Sequence, residues 1–152
     1  MFSFFRRKRK FFTEPDQARI VEAIRHAEKR TSGEIRVFVE SKCRYMDAID
    51  RAAEIFFGLK MEKTDDRNAV LLYVAMKDHQ LAVFADKGIY ERMGQAYWHD
   101  EIKMMTGNFN KQNYADGIRQ CVTDIGEALH HHFPFDNDTD KNELPDDIVF
   151  GH

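Results

Sequence analysis

Three carboxylates stand out as candidates for chemistry in this 152-residue chain. Asp65 and Asp66 precede an apolar run from Ala69 to Ala75, and Asp86 follows a second run from Leu81 to Ala85. Between the runs lies the polar turn Met76-Lys77-Asp78-His79-Gln80. A connection that short joins two strands only as an antiparallel hairpin. With the turn centred near Asp78, paired residues have numbers summing to about 156, so Asn68 faces residue 88 and Asp65 and Asp66 approach Asp86 and Gly88. Three acids at one sheet edge repel unless a cation, or Arg67 and Lys87, neutralises them. Oxygen-only ligation points to a hard ion, Ca²⁺ or Mg²⁺. The alternative is that these acids are solvated turn residues, with Asp66 or Asn68 capping its own backbone.

Other constellations are weaker. Asp136, Asp138, Asp140 and Asp147 fall at positions one, three, five and twelve of a twelve-residue loop, but Lys141 stands where an EF-hand needs Gly and Pro145 interrupts it. His130, His131 and His132 close a helical stretch, where positive charge complements the helix dipole, and adjacent residues cannot share one helix face. Cys43 has Arg44 beside it to lower its pKa, yet no glycine-rich phosphate loop follows it and the sequence places no partner His. His79 and His99 read as surface or structural residues. No GxGxxG follows a strand and no GxxxxGK[ST] occurs, so nucleotide binding of the usual kinds has no support.

The elements that must position these groups follow from periodicity. Thr13-Glu14-Pro15-Asp16 is a helix start, with a cap hydroxyl, an early proline and an acid three residues on. The helix it opens runs to Arg30, with Ile20, Val21, Ile24 and Ala27 on one stripe. Glu34 to Glu40 alternates with period two and reads as a strand, and Asp47 to Leu59 returns to helical spacing through Ile49, Ala52, Ala53, Phe56 and Phe57. The continuous apolar run Ala69–Ala75 is expected of a strand covered on both faces. From Asp86 to Pro134 the pattern is helical in two or three pieces, with a break at Gly107-Asn108-Phe109. Helices before, between and after a small mixed sheet containing one antiparallel hairpin predict a three-layer α/β/α sandwich.

A chain this long buries roughly 70% of its unfolded surface in one core, and 43% hydrophobic content excludes global disorder. The expected divisions are a basic and aromatic N-terminal arm (1–12), a domain (13–135) and an acidic tail (136–152). A net charge of −3 gives no uniform grip on nucleic acid. The charge is polarised: residues 6–10 are all basic, whereas 136–147 hold six acids against Lys141. Interleaved with Phe2, Phe4, Phe5, Phe11 and Phe12, the basic run could lie on an anionic membrane surface or fold back on the domain, with Phe11 or Phe12 as a hydrophobic staple. Ile148-Val149-Phe150 is too apolar for a solvated tail and predicts docking against the domain or a partner. Two distant cysteines, no apolar run of about 20 residues and no secretory signal place the chain in the cytoplasm.

Thr31-Ser32-Gly33-Glu34-Ile35-Arg36-Val37, Asp66-Arg67-Asn68-Ala69-Val70-Leu71, Ala85-Asp86-Lys87-Gly88-Ile89, Tyr97-Trp98, and Gly117-Ile118 with His132-Phe133-Pro134 occur in an order that resembles the TPM domain family over about residues 14–134. The resemblance implies an α/β/α sandwich, calcium binding, an acid-phosphatase activity reported for a plant member, and roles in the upkeep of membrane-associated complexes. Without signal or anchor, the chain is similar to the short cytosolic bacterial branch. Two functions are therefore expected. One is a module that holds Ca²⁺ or Mg²⁺ at Asp65, Asp66 and Asp86 and acts through a protein partner. The other is a metal-dependent phosphatase in which Arg67 or Lys87 holds the phosphate and Asp65 or Asp66 is the general base.

Overall fold

The computed structural model describes residues 11–135 and 148–151. Helix α1 (Glu14–Glu28) starts where the cap signal places it, with the Thr13 hydroxyl accepting the Asp16 N–H at 3.2 Å. It ends two residues earlier than its periodicity suggests. Strand β1 (Glu34–Glu40), helix α2 (Ala48–Gly58), and the hairpin of β2 (Ala69–Ala75) and β3 (Gln80–Ala85) follow. Three helices come next, α3 (Lys87–Met93), α4 (Gln95–Asn110) and α5 (Tyr114–His132), and then β4 (Ile148–Phe150).

The sheet order is β3-β2-β1-β4. Strand β1 runs parallel to β2 and β4, and β2 runs antiparallel to β3. Val70 pairs with Ala85 and Ala75 with Gln80, so the hairpin register differs by one from the sequence estimate. The apolar run of β2 is explained by two cores. Val70, Leu72 and Val74 face α1, α4 and α5 together with Ile35, Val37 and Val39 of β1, whereas Leu71 and Tyr73 face Ala52, Ile55 and Phe56 of α2. Alternation alone assigns these faces, and the three-layer α/β/α sandwich is the result.

Helices α1 and α5 cross at close range, because a Cβ on Gly126 would lie 2.6 Å from that of Ala27. The Thr31 hydroxyl bonds the carbonyls of Leu129 and Phe133, which fastens the α1–β1 turn to the end of α5. Two sequence expectations change. Helix α4 passes through Gly107-Asn108-Phe109 without a break, since Met105 and Phe109 continue its buried stripe and the Asn108 amide bonds back to the Met104 carbonyl at 3.2 Å. Here packing outweighs weak propensity. The expected docking of Ile148–Phe150 takes the form of a fourth strand, with Ile148 beside Val37. Correspondingly, Phe12 belongs to the core at 8% exposure and Phe11 stacks on Phe150 at 6.1 Å, so the fold takes in residues from both expected appendages. Residues 1–10 and the EF-hand-like acids Asp136, Asp138, Asp140 and Asp147 lie outside the described residues.

If Phe12 is core, Phe12→Ala lowers unfolding free energy by about 3 kcal/mol, read as a fall in the urea midpoint. Phe135→Ala, at a position 41% exposed, changes it by less than about 0.5 kcal/mol. Equal effects would place Phe12 outside the core.

Candidate functional site

The hairpin brings the predicted loops together through their backbones. The Asp86 N–H donates to the Ala69 carbonyl (2.9 Å) and the Gly88 N–H to the Arg67 carbonyl (2.8 Å). The approach is close enough that a Cβ on Gly88 would sit 2.1 Å from the Asp66 carbonyl oxygen and 2.6 Å from that of Arg67. Arg67 has φ +52°, a left-handed conformation that bends the chain just before β2. Its guanidinium then meets Asp86 as a fork, Nε to Oδ2 at 2.7 Å and an Nη to Oδ1 at 2.8 Å. Asp86 is also the N-cap of α3 and accepts the Lys87 N–H on Oδ1 at 2.8 Å. Hydrogen bonding to Asp86 is the main reason that the Arg67 pKa is raised.

This arrangement supplies neutralisation from within. Asp86 is buried and its oxygens are engaged by Arg67 and by its own helix, while Asp65, Asp66 and Lys87 are exposed. The three acids therefore share a sheet edge without converging, and among the described residues no three His, Cys, Asp or Glu side chains are grouped to hold a metal. The residues present do not fit a Ca²⁺ or Mg²⁺ ion at Asp65, Asp66 and Asp86 while Arg67 keeps its bonds. The left-handed residue is the feature periodicity could not disclose.

At the other end of β1, Glu40 is buried and takes a fork from Arg51 of α2, with Nε at 2.9 Å and an Nη at 3.0 Å, together with a short hydrogen bond from the Tyr73 hydroxyl. Burial, then the Glu40 contact, raises the Tyr73 pKa, and Glu40 raises that of Arg51. Cys43 is structural here: its N–H donates to Asp78 (2.8 Å) and its thiol to the Met46 carbonyl (3.2 Å). The loop is pinned, yet Tyr45 leaves it with φ +66° and 96% exposure. Met46, Ile49 and Phe57 are also exposed, and Ile49, Ala53 and Phe57 follow one another at four-residue spacing along α2. The helical spacing of Ile49, Ala52, Ala53, Phe56 and Phe57 combines buried Ala52 and Phe56 with exposed Ile49 and Phe57. Together with Ile55, however, α2's apolar arc spans about 200° at 100° per residue, roughly twice what seating on a sheet requires.

The His131 and His132 rings meet edge to face at the end of α5, with 4.7 Å between centroids. His130 Nδ1 lies 2.8 Å from the Arg30 carbonyl oxygen, His79 stacks beside Tyr114 and His99 is exposed. Among the described residues, no helix is long and apolar enough to cross a membrane.

Fold and clamp thus define an α/β/α sandwich whose mixed sheet is closed at one edge by an arginine–aspartate pair. The chain belongs to the TPM domain family, whose model matches residues 6–128. It is similar to the BA42 protein of the psychrophilic bacterium Bizionia argentinensis, solved by NMR, at 37% identity and TM-score 0.85 over 95% of this chain and 99% of that one. The N-terminal domain of the cg2496 protein of Corynebacterium glutamicum shares the fold at 11% identity and TM-score 0.59, over 78% of this chain and 74% of that one. No curated relative matches.

Asp86→Ala removes a helix cap and the clamp together and lowers stability by at least the ~1 kcal/mol of a lost cap. Calorimetric titration of Ca²⁺ is expected to give the same heat with wild type and with this variant. A heat present only in wild type would mean that calcium displaces Arg67. Gly88→Ala, which forces a Cβ against backbone carbonyls, costs at least the ~1–3 kcal/mol of ordinary overpacking.

Proposed function

We propose that this TPM-domain protein is a binding module that docks a protein partner on the outward face of α2 and the loop before it. The observation that supports this reading is the exposed set Tyr45 and Met46 in the loop and Ile49 and Phe57 on α2, a helix anchored by the Arg51–Glu40 fork. Singly exposed apolar residues are ordinary, but several on one helix and the loop that leads into it mark a candidate interaction surface. Tyr45 adds a large, rigid side chain of the kind that anchors interfaces, on a backbone whose left-handed turn a bulky residue rarely adopts.

The phosphatase reading has less support. Of its two anion holders, Arg67 is committed to Asp86 and Lys87 is exposed, and Asp65 and Asp66 are exposed as well rather than set in the water-excluding pocket that catalysis favours. On the present reading the hairpin edge stiffens the domain, and the partner determines the biological outcome.

A photo-activated cross-linking residue placed at Ile49 or Phe57, in cells that produce the protein, is expected to yield one adduct of defined mass. The same residue at the exposed Lys103 on α4 should yield none, and Ile49→Asp should abolish the adduct formed from position 57. Absence of an adduct at both α2 positions, or identical adducts at Lys103, would overturn the proposal.

A further inference from the structure

Strand β3 is one edge of the sheet, and its register fixes which of its backbone groups stay open. In an antiparallel pair, opposed residues alternate between those that exchange backbone hydrogen bonds and those that do not. The Asp86 N–H bonds the Ala69 carbonyl and the Gly88 N–H that of Arg67. Continued along the register, the bonded pairs are Leu71 with Phe84, Tyr73 with Ala82 and Ala75 with Gln80. Leu81, Val83 and Ala85 therefore turn their N–H and C=O groups away from β2, and among the described residues no hydrogen bond reaches them on that side.

Edges of this kind are ordinarily blunted by charge, proline, a bulge or shortness. Strand β3 has none of these: its six residues, Gln80–Ala85, carry no charged side chain and no proline, and they pair with β2 without interruption. The side chains beside the edge are apolar and incompletely covered. Leu81, Val83 and Ala85 on the side of the large core and Phe84 on the side of α2 are half-buried. Phe84 meets Phe57 edge to face, with centroids 5.7 Å apart, so the edge is continuous with the exposed apolar residues of α2. The open backbone also decides what fits it. A helix satisfies its own N–H and C=O groups and would leave those of β3 unmet, whereas an extended main chain offers acceptors and donors at the matching two-residue spacing.

We propose that the partner of the α2 face contributes an extended segment that adds to β3 as a further strand, with alternate apolar side chains set against Phe57 and Phe84. The inference rests on the α2 reading and specifies the chemistry of the partner. The test takes the ¹⁵N-labelled full chain and, as probe, a phage-displayed library of random peptides long enough to span β3. Enriched peptides are expected to alternate apolar and polar residues, to bind saturably, and to slow solvent exchange at the amides of Leu81, Val83 and Ala85. Val83→Pro deletes one outward N–H without touching the ladder to β2 and should weaken binding at least tenfold, and Phe57→Ala should weaken it several-fold. Amide dispersion reports whether each variant is folded, and if Val83→Pro unfolds, the exchange pattern of the wild type decides alone. Peptides that need Phe57 yet bind folded Val83→Pro as tightly as wild type would leave the α2 face standing and overturn the strand. Failure to enrich any peptide, or protection confined to other amides, would overturn it as well. So would a chain that is already dimeric with those three amides protected before peptide is added, which would assign the edge to a second copy.

Discussion

The structure depends on the complete withdrawal of β2 from water. Every side chain from Ala69 to Ala75 is fully buried, and a strand in that position requires a cover on each face. The covers are unequal. Helices α1, α4 and α5 contribute to the large core on one side, whereas α2 is the helix that builds the smaller core on the other. On the α2 side of β1, Glu34, Arg36 and Glu40 alternate with the apolar residues of a central strand although all three are buried. Glu40 can remain there because Arg51 and Tyr73 meet it. The charge is accommodated by bonding to its covering helix, and that helix is thereby fixed in position.

The clamp at the opposite end works by the same rule under different exposure. Asp86 is nearly buried and Arg67 about one-third exposed, so the fork is partly screened and its value lies in geometry more than in raw Coulomb energy. It joins the loop entering β2 to the first turn of α3, at a point where the backbones are already so close that only glycine fits at position 88. Three consecutive features, a left-handed Arg67, a capping Asp86 and a small Gly88, act as one joint.

Much of this architecture was legible in the sequence. The cap at Thr13, the alternation of β1, the two-sided burial of β2 and the meeting of the 65–68 and 86–88 loops all follow from residue types and one turn. What escaped had physical reasons. Three residues are too few to show a period, so β4 announced itself only as a misplaced apolar patch. The α4 stripe persists through Gly107 and Asn108, where local preference argues for a stop. The direction of the Arg67 side chain rests on a single backbone torsion, which decides whether the acids face an arginine or an open edge. The two sides of α2 share one helical spacing, so the width of its apolar arc, and not the spacing, is what separates buried Ala52, Ile55 and Phe56 from exposed Ile49 and Phe57.

The parallel pairing of β4 with β1 bears on the order of assembly. During synthesis, Val37 and its neighbours emerge long before Ile148, and parallel partners so distant in sequence are slow to pair. Until then the flank of β1 stays open, with strand edges of the kind that pair with other chains. The stack of Phe11 on Phe150 depends on the same pairing, so β4 both completes the described sheet and holds the segment that leads into α1, and the interval before it docks is the one most exposed to aggregation.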